Sequence, residues 1–169
     1  NKNHLIRLLM PRDSIGALEF SDTALRFLKL TYKGDKILEE ASVDLPAGVI
    51  DQGKVKDRVQ LIASLNNLKS KLKKKTKTID AIVVIPSHHL YSQVFDLPEE
   101  ARGNLEEAAE FNLETISPLP LVDSYHDWQS VGLREDEGQK MEVLGAFILS
   151  QIIEEYNSVL SESGFRPVA

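Results

Sequence analysis

The run "TIDAIVVIP", Thr78 to Pro86, constrains the fold more than any other stretch of the chain. Its apolar core is continuous and rich in β-branched residues, with no polar alternation, so it reads as a strand buried on both faces. The segment before it has a different period. Val55, Val59, Ile62, Leu65, Leu68 and Leu72 recur every three or four positions between Val55 and Lys75, the stripe of an amphipathic helix of about five turns. Further upstream, Ser14 to Phe20 and Ala24 to Tyr32 read as strands joined by a small polar turn, Ser21-Asp22-Thr23. "KGDK" (Lys33 to Lys36) supplies a second turn and Ile37 to Leu45 a third strand, giving a meander. Pro46, Gly48 and Gly53 mark a loop. The first 86 residues therefore predict the order β-β-β-α-β.

The second half changes rhythm. Tyr91 to Leu97 reads as a short strand, and Pro98 suits the first position of a helix whose dipole faces Glu99 and Glu100. That helix runs to about Ile116, with Leu105, Ala108/Ala109, Asn112/Leu113 and Ile116 on one side. Gly103 costs it roughly 1 kcal/mol relative to alanine, so its first turns are expected to be irregular. "SPLPL" (Ser117 to Leu121) stops it, because proline cannot continue a helix. Strands at Ser124 to Gly132 and Lys140 to Leu149 follow, joined by the acidic hairpin "LREDEGQ". A last helix, Ser150 to Ser163, turns Ile152, Ile153, Tyr156, Val159 and Leu160 inward and ends on Gly164 as a C-terminal cap. The predicted organisation is a lobe of residues 14–90 plus 150–169, an inserted strand-helix-strand-strand subdomain over 91–149, and an N-terminal extension over 1–13.

Composition narrows the function. The chain has 169 residues, 42% hydrophobic and 27% charged, which is enough apolar surface for a packed core. A net charge of -6 gives no general affinity for nucleic acid or anionic lipid. The exception is "KSKLKKKTK" from Lys69 to Lys77, which reads as the solvated end of a helix whose lysines complement the dipole, with a lipid or RNA patch as the alternative. Without cysteine there is no disulfide, thiolate metal site or cysteine nucleophile. No apolar run approaches the ~20 residues of a membrane span.

Catalytic chemistry finds little support. His4, His88, His89 and His126 have no metal-ligand spacing. Ser124, His126 and Asp127 are too close along one strand to converge as a triad. Trp128 reads as a core residue, with a partner anchor as the alternative.

Five stretches in order resemble one family. "ALEFSDTALRFLKL" (Ala17 to Leu30) is similar to the opening hairpin of the actin-like proteins related to the division protein FtsA, and most of all to the PilM-like proteins of type IV pilus platforms. "GVIDQGKVKD" (Gly48 to Asp57), "VVIPSHHLYSQVFDLPEEA" (Val83 to Ala101), "EAAEFNLETISPLPLVDSYHDWQSVG" (Glu107 to Gly132) and "EEYNSVLSESGFRP" (Glu154 to Pro167) resemble its later segments. The resemblance implies an α/β (α+β) fold: an actin-like, ribonuclease H-like first lobe carrying the insert. It also implies a chain about half the length of a complete member, with the stretch after Gly164 starting a further strand. A strand edge beside Thr78 to Pro86 is then expected to lie open and to favour self-association.

In nucleotide-binding relatives the hairpin turn is D-x-G-[ST], so Glu19, Ser21, Asp22 and Thr23 are the candidate phosphate hairpin. Here Glu19 replaces the aspartate and Ser21 the glycine, and Asp22 adds a carboxylate that repels phosphate unless Mg²⁺ intervenes. The alternative is an ordinary turn hydrogen-bonded to its own backbone. No cofactor is expected on this chain alone; ATP and Mg belong to the full-length protein if the family's chemistry is kept. The resemblance further implies a cytoplasmic adaptor, peripheral to the inner membrane, that holds the cytoplasmic tail of a single-pass, PilN-like partner. Leu113, Ile116, Pro118 and Leu119 are the candidate groove residues, the alternative being that Leu113 and Ile116 pack the insert onto its own sheet. An actin-like ATPase lobe, an FtsA-like division scaffold and a type II secretion platform protein are the other functions this architecture admits.

Overall fold

The structure, a computed structural model, describes residues 15–31, 33–73, 76–118, 120–134 and 140–169. The expected N-terminal extension and the tip of the "LREDEGQ" hairpin, residues 135–139, lie outside them, as do Tyr32, Lys74 and Lys75. The chain divides into two compact units, one formed by 15–86 with 155–169 and the other by 87–154.

The first unit is built on a five-stranded sheet. β1 (Gly16–Phe20), β2 (Ala24–Leu30) and β3 (Ile37–Asp44) form the antiparallel meander, with Ala17 opposite Leu28 and Phe27 opposite Ala41. Two very short strands, β4 (Ile50–Asp51) and β5 (Lys54–Val55), make a hairpin of their own where the sequence reading had only a loop. Helix α1 (Arg58–Lys71) then packs across β2 and β3 and returns the chain to β6 (Ile79–Val84). β6 runs parallel to β1, Gly16 opposite Ala81. The last strand, β10 (Phe165–Pro167), pairs in parallel with the other side of β6, so the sheet order is β10-β6-β1-β2-β3.

Three expectations change here. The edge beside Thr78 to Pro86 is not open: β10 fills it, extended by the Val83 amide donating to Ala169 O at 2.7 Å and the Val168 amide to Ala81 O at 3.0 Å. β6 is buried on one face only. Ala81 is fully buried, whereas Ile82 and Val84 are 43% and 50% exposed, because alternate side chains point away from the packed face. The α1 stripe changes only at its start: Val55, Leu65, Leu68 and Leu72 are buried as expected, and Val59 is not. The helix starts at Arg58, where the Asp57 carboxylate caps it by accepting the Gln60 amide at 2.9 Å. From that start Leu61, Ser64, Leu65 and Leu68 share the buried side, and Val59, two residues from Leu61 and so about 200° round the helix, is left in solvent.

The second unit is a three-stranded antiparallel sheet, β7 (Tyr91–Leu97), β9 (Lys140–Leu149) and β8 (Ser124–Arg134), with β9 in the middle. A 3₁₀ stretch over Glu99–Asn104 precedes α2 (Leu105–Ile116), the irregular first turns that Gly103 foreshadowed. β8 carries a bulge between Ser130 and Gly132. Leu97, Ala109, Met141 and Val143 form the core, with Phe95, Leu105 and Trp128 packed against it. Trp128 is thus a core contact.

Helix α3 (Ser150–Ser163) leads on from β9. Its Tyr156, Val159 and Leu160 are buried, and the Tyr156 ring meets Phe20 edge-on at 5.1 Å. Gly164 has φ 74°, and a Cβ there would lie 2.7 Å from Lys77 O and 2.2 Å from Lys69 Nζ. The Lys69 ammonium caps the end of α3, donating to Ser163 O at 3.3 Å and to Lys77 O at 2.6 Å. Gly164→Ala is therefore expected to destabilise the chain by about 1–3 kcal/mol through backbone strain and crowding. A lower urea midpoint with an unchanged slope checks this.

Candidate functional site

The turn between β1 and β2 is closed from within. The Ser21 amide and hydroxyl both donate to Ala24 O at 2.9 Å, and the Ala24 amide donates back to Ser21 Oγ at 3.0 Å. Thr23 O accepts the Leu45 amide at 2.8 Å, joining the turn to the end of β3. Glu19 lies on the exposed face of β1, away from the buried Leu18 and Phe20, and pairs with Arg26 across the β1–β2 register at 3.2 Å. Both partners are about half exposed, so the pair contributes little to stability.

Asp22 reaches outside the turn. Its two carboxylate oxygens accept the amides of Gln52 and Gly53 at 2.9 and 3.1 Å. Those residues form the two-residue loop between β4 and β5, and both have positive φ, 49° and 75°. Two successive left-handed residues leave their amides pointing the same way, and a carboxylate satisfies both at once. The Gly53 carbonyl in turn accepts the buried Tyr156 hydroxyl at 3.0 Å. Asp22, the β4–β5 loop and α3 are thus linked through one glycine. Burial pushes the Tyr156 hydroxyl well above the usual tyrosine range, with the charges of Asp22 and Glu155 adding to the effect. The sequence signal for this link was "DQGK", a two-residue loop with glycine second.

In the second unit the groove candidates separate. Leu113 is fully buried, and a Cβ on Gly145 of β9 would lie 2.4 Å from its Cδ2 and 3.3 Å from the Phe95 ring. It packs α2 onto its own sheet and is a core residue, not a groove residue. Ile116 is half-buried at the end of α2, and Pro118 is exposed. Leu119 lies outside the described residues. On another side of α2, Leu97, Pro98, Ala101, Ala108 and Phe111, with the polar Asn104, Glu107 and Asn112, line an open groove of about 370 Å³, and Phe111 is 70% exposed. The sequence reading did not single out Phe111, although an aromatic residue off the buried stripe of a helix was the available signal.

His4 lies outside the described residues, and the three described histidines do not assemble. His88 and His89 lie in a 3₁₀ turn, Ser87–His89, and His126 Nε2 sits 3.4 Å from Glu110. Ser124 donates to Leu121 O at 3.3 Å, and Asp127 accepts the neighbouring Trp128 amide at 2.8 Å. Among the described residues no cluster of three or more acids and histidines could hold a metal ion, and no helix is long and apolar enough to cross a membrane.

Two outcomes are expected. Asp22→Ala leaves two loop amides without an acceptor and lowers stability by about 1–3 kcal/mol, read as a lower urea midpoint with faster hydrogen exchange at Gln52 and Gly53. Tyr156 ionises more easily in the unfolded chain than in the folded one. Its contribution is therefore complete below the ordinary value near 10 and lost as pH rises above it. Melting temperature should fall on passing pH 10 more steeply in the parent than in Tyr156→Phe.

Comparison with known proteins places this architecture. The family model described as type IV pilus assembly protein PilM matches residues 17–169. A search of curated proteins gave no match. Among solved structures, a PilM–PilN type IV pilus biogenesis complex aligns over 94% of this chain and 47% of its own, at 18% identity and a TM-score of 0.76. The cytoplasmic domain of EpsL, an inner-membrane component of the type II secretion system of Vibrio cholerae, aligns over 91% of this chain and 55% of its own, at 14% identity and a TM-score of 0.56. A protein of actin-like ATPase fold from Bacteroides thetaiotaomicron aligns over 93% and 52%, at 15% identity and a TM-score of 0.37. The chain spans about half the length of the solved chains it matches. Its fold is a mixed α/β lobe with a strand-helix-strand-strand insert, the fold of the PilM solved with PilN. The chain belongs to the family of the type IV pilus assembly protein PilM.

Proposed function

We propose that this chain is the adaptor lobe of a type IV pilus inner-membrane platform, holding the cytoplasmic tail of a PilN-like, single-pass membrane partner. The observation that carries the reading is the family match over 17–169 together with the likeness to a PilM solved with PilN. The lobe sits on the cytoplasmic side and reaches the membrane through that tail. An extended peptide gains main-chain hydrogen bonds from a strand edge or groove and specificity from pockets for alternate side chains. Ile116 and Pro118, half-buried and exposed at the end of α2, are the contacts we assign to it, and Leu119 follows them in the sequence.

The role is non-catalytic in this lobe. The Glu19 to Thr23 turn is a structural link, because the Ser21 amide, the Ser21 hydroxyl and both Asp22 oxygens are already engaged by protein groups. A nucleotide phosphate needs amide donors and a neutral approach, and Asp22 presents a carboxylate there.

Fluorescence anisotropy of a labelled partner-tail peptide tests the adaptor role. The parent chain should bind, and Ile116→Glu should weaken binding by at least about tenfold, equivalent to 1.4 kcal/mol, with its melt retained. Leu113→Glu should instead unfold the second unit, since it buries a charge in the core. Unchanged affinity in folded Ile116→Glu would refute the contact assignment, and no binding by the parent would refute the adaptor role. Titration calorimetry of the same chain with Mg-ATP should show no saturable heat; low-micromolar binding would restore the phosphate-hairpin reading.

A further inference from the structure

The five-stranded sheet ends on two edges, and they are unlike each other. β10 is three residues long and includes Pro167, which has no amide to offer a neighbouring strand. β3 is eight residues long, and its outer side carries Leu38, Glu40 and Ser42. Their backbone groups face away from β2, because Glu39, Ala41 and Val43 supply the inward-facing positions of the antiparallel ladder. A strand of this length with Ile37 and Leu38 exposed at its start is a template for another extended chain.

Two lysines at the end of α1, Lys71 and Lys73, reach this edge. Lys71 Nζ donates to Ser42 O at 2.7 Å, and Lys73 Nζ donates to Leu38 O at 3.3 Å. The Lys73 amide is held by the Glu39 carboxylate, which fixes the segment beside the strand. The two ammonium groups thus occupy carbonyls four residues apart on the outer side of β3. An ammonium offers donors only, so it satisfies the strand's acceptors and presents no acceptor to a second strand.

We propose that Lys71 and Lys73 close the β3 edge against pairing with a second copy of this chain. These lysines are then more than a solvated helix end: they keep the lobe available as a single unit. Charge also works against an approaching copy, since the same two lysines would meet their equivalents across an antiparallel pairing of β3 with β3.

Sedimentation velocity of the 169-residue chain over a wide concentration range is the test. The double variant K71M/K73M keeps the apolar stems and removes the donors, and it should associate at concentrations where the parent does not. K71R/K73R restores donors and should sediment like the parent. Adding Glu40→Pro to K71M/K73M removes an outward-facing amide without breaking the β2–β3 ladder, and it should return the variant to parent behaviour. Circular dichroism melts establish that each variant is folded, and exchange of the Glu40 and Ser42 amides gives a second readout in the parent, where these outward amides should exchange faster than those of Ala41 and Val43. Folded K71M/K73M that sediments like the parent would overturn the proposal, as would association that Glu40→Pro leaves intact.

Discussion

The parallel pairing of β6 with β1 is the contact on which the first unit depends. It brings Gly16, Ala17, Leu18 and Glu19 beside Ala81, Ile82, Val83 and Val84, residues more than 60 positions apart in the chain. Parallel neighbours require a crossover, and α1 provides it while covering the sheet at β2 and β3. Gly16 shows how tightly the packed face is filled: a Cβ there would lie 2.2 Å from the Phe27 ring. Once β6 is seated, its other side is free for β10, and the chain's return from the insert through α3 is fixed by that second pairing.

The polar turn at Ser21 to Thr23 has to be understood within this frame. It sits where the β1–β2 hairpin, the end of β3 and the β4–β5 loop come together, and each is tied to it by a backbone hydrogen bond or by the Asp22 carboxylate. A glycine at Ser21 would leave the backbone accessible to a phosphate; the serine instead spends its side chain on Ala24. In this chain the turn is a joint between loops.

Much of this was legible in residues. Periodicities of two and 3.6 separated the strands of the meander from α1, and Pro98 with Gly103 announced an irregular entry to α2. Helix α3 and its glycine cap were plain in "SQIIEEYNSVLSESG". What was hidden depends on distant partners. In the first turn of α1 Leu61 is buried and Val59 is not, and with apolar residues at both positions no local pattern tells them apart. β4 and β5 are too short for periodicity to register, and Asp22 acquires its role only because the β4–β5 loop folds back over 30 residues of chain. Leu113 looked like either a groove or a core residue because both are apolar positions on a helix; its partner, Gly145, lies on another strand. The burial of β6 was overread for a related reason, since a β-branched run does not reveal which of its two faces receives a covering layer.

We propose that this lobe of the PilM family holds another protein's tail at the end of α2. An NMR titration of the ¹⁵N-labelled chain with the tail peptide of its platform partner tests it most directly, with Mg-ATP in a parallel titration. Peptide-dependent shift changes centred on Ile116 and Ser117 are expected, and none at Ser21 to Thr23 with nucleotide. Changes confined to the Ser21–Thr23 turn on adding Mg-ATP, with the α2 end unmoved by peptide, would contradict it.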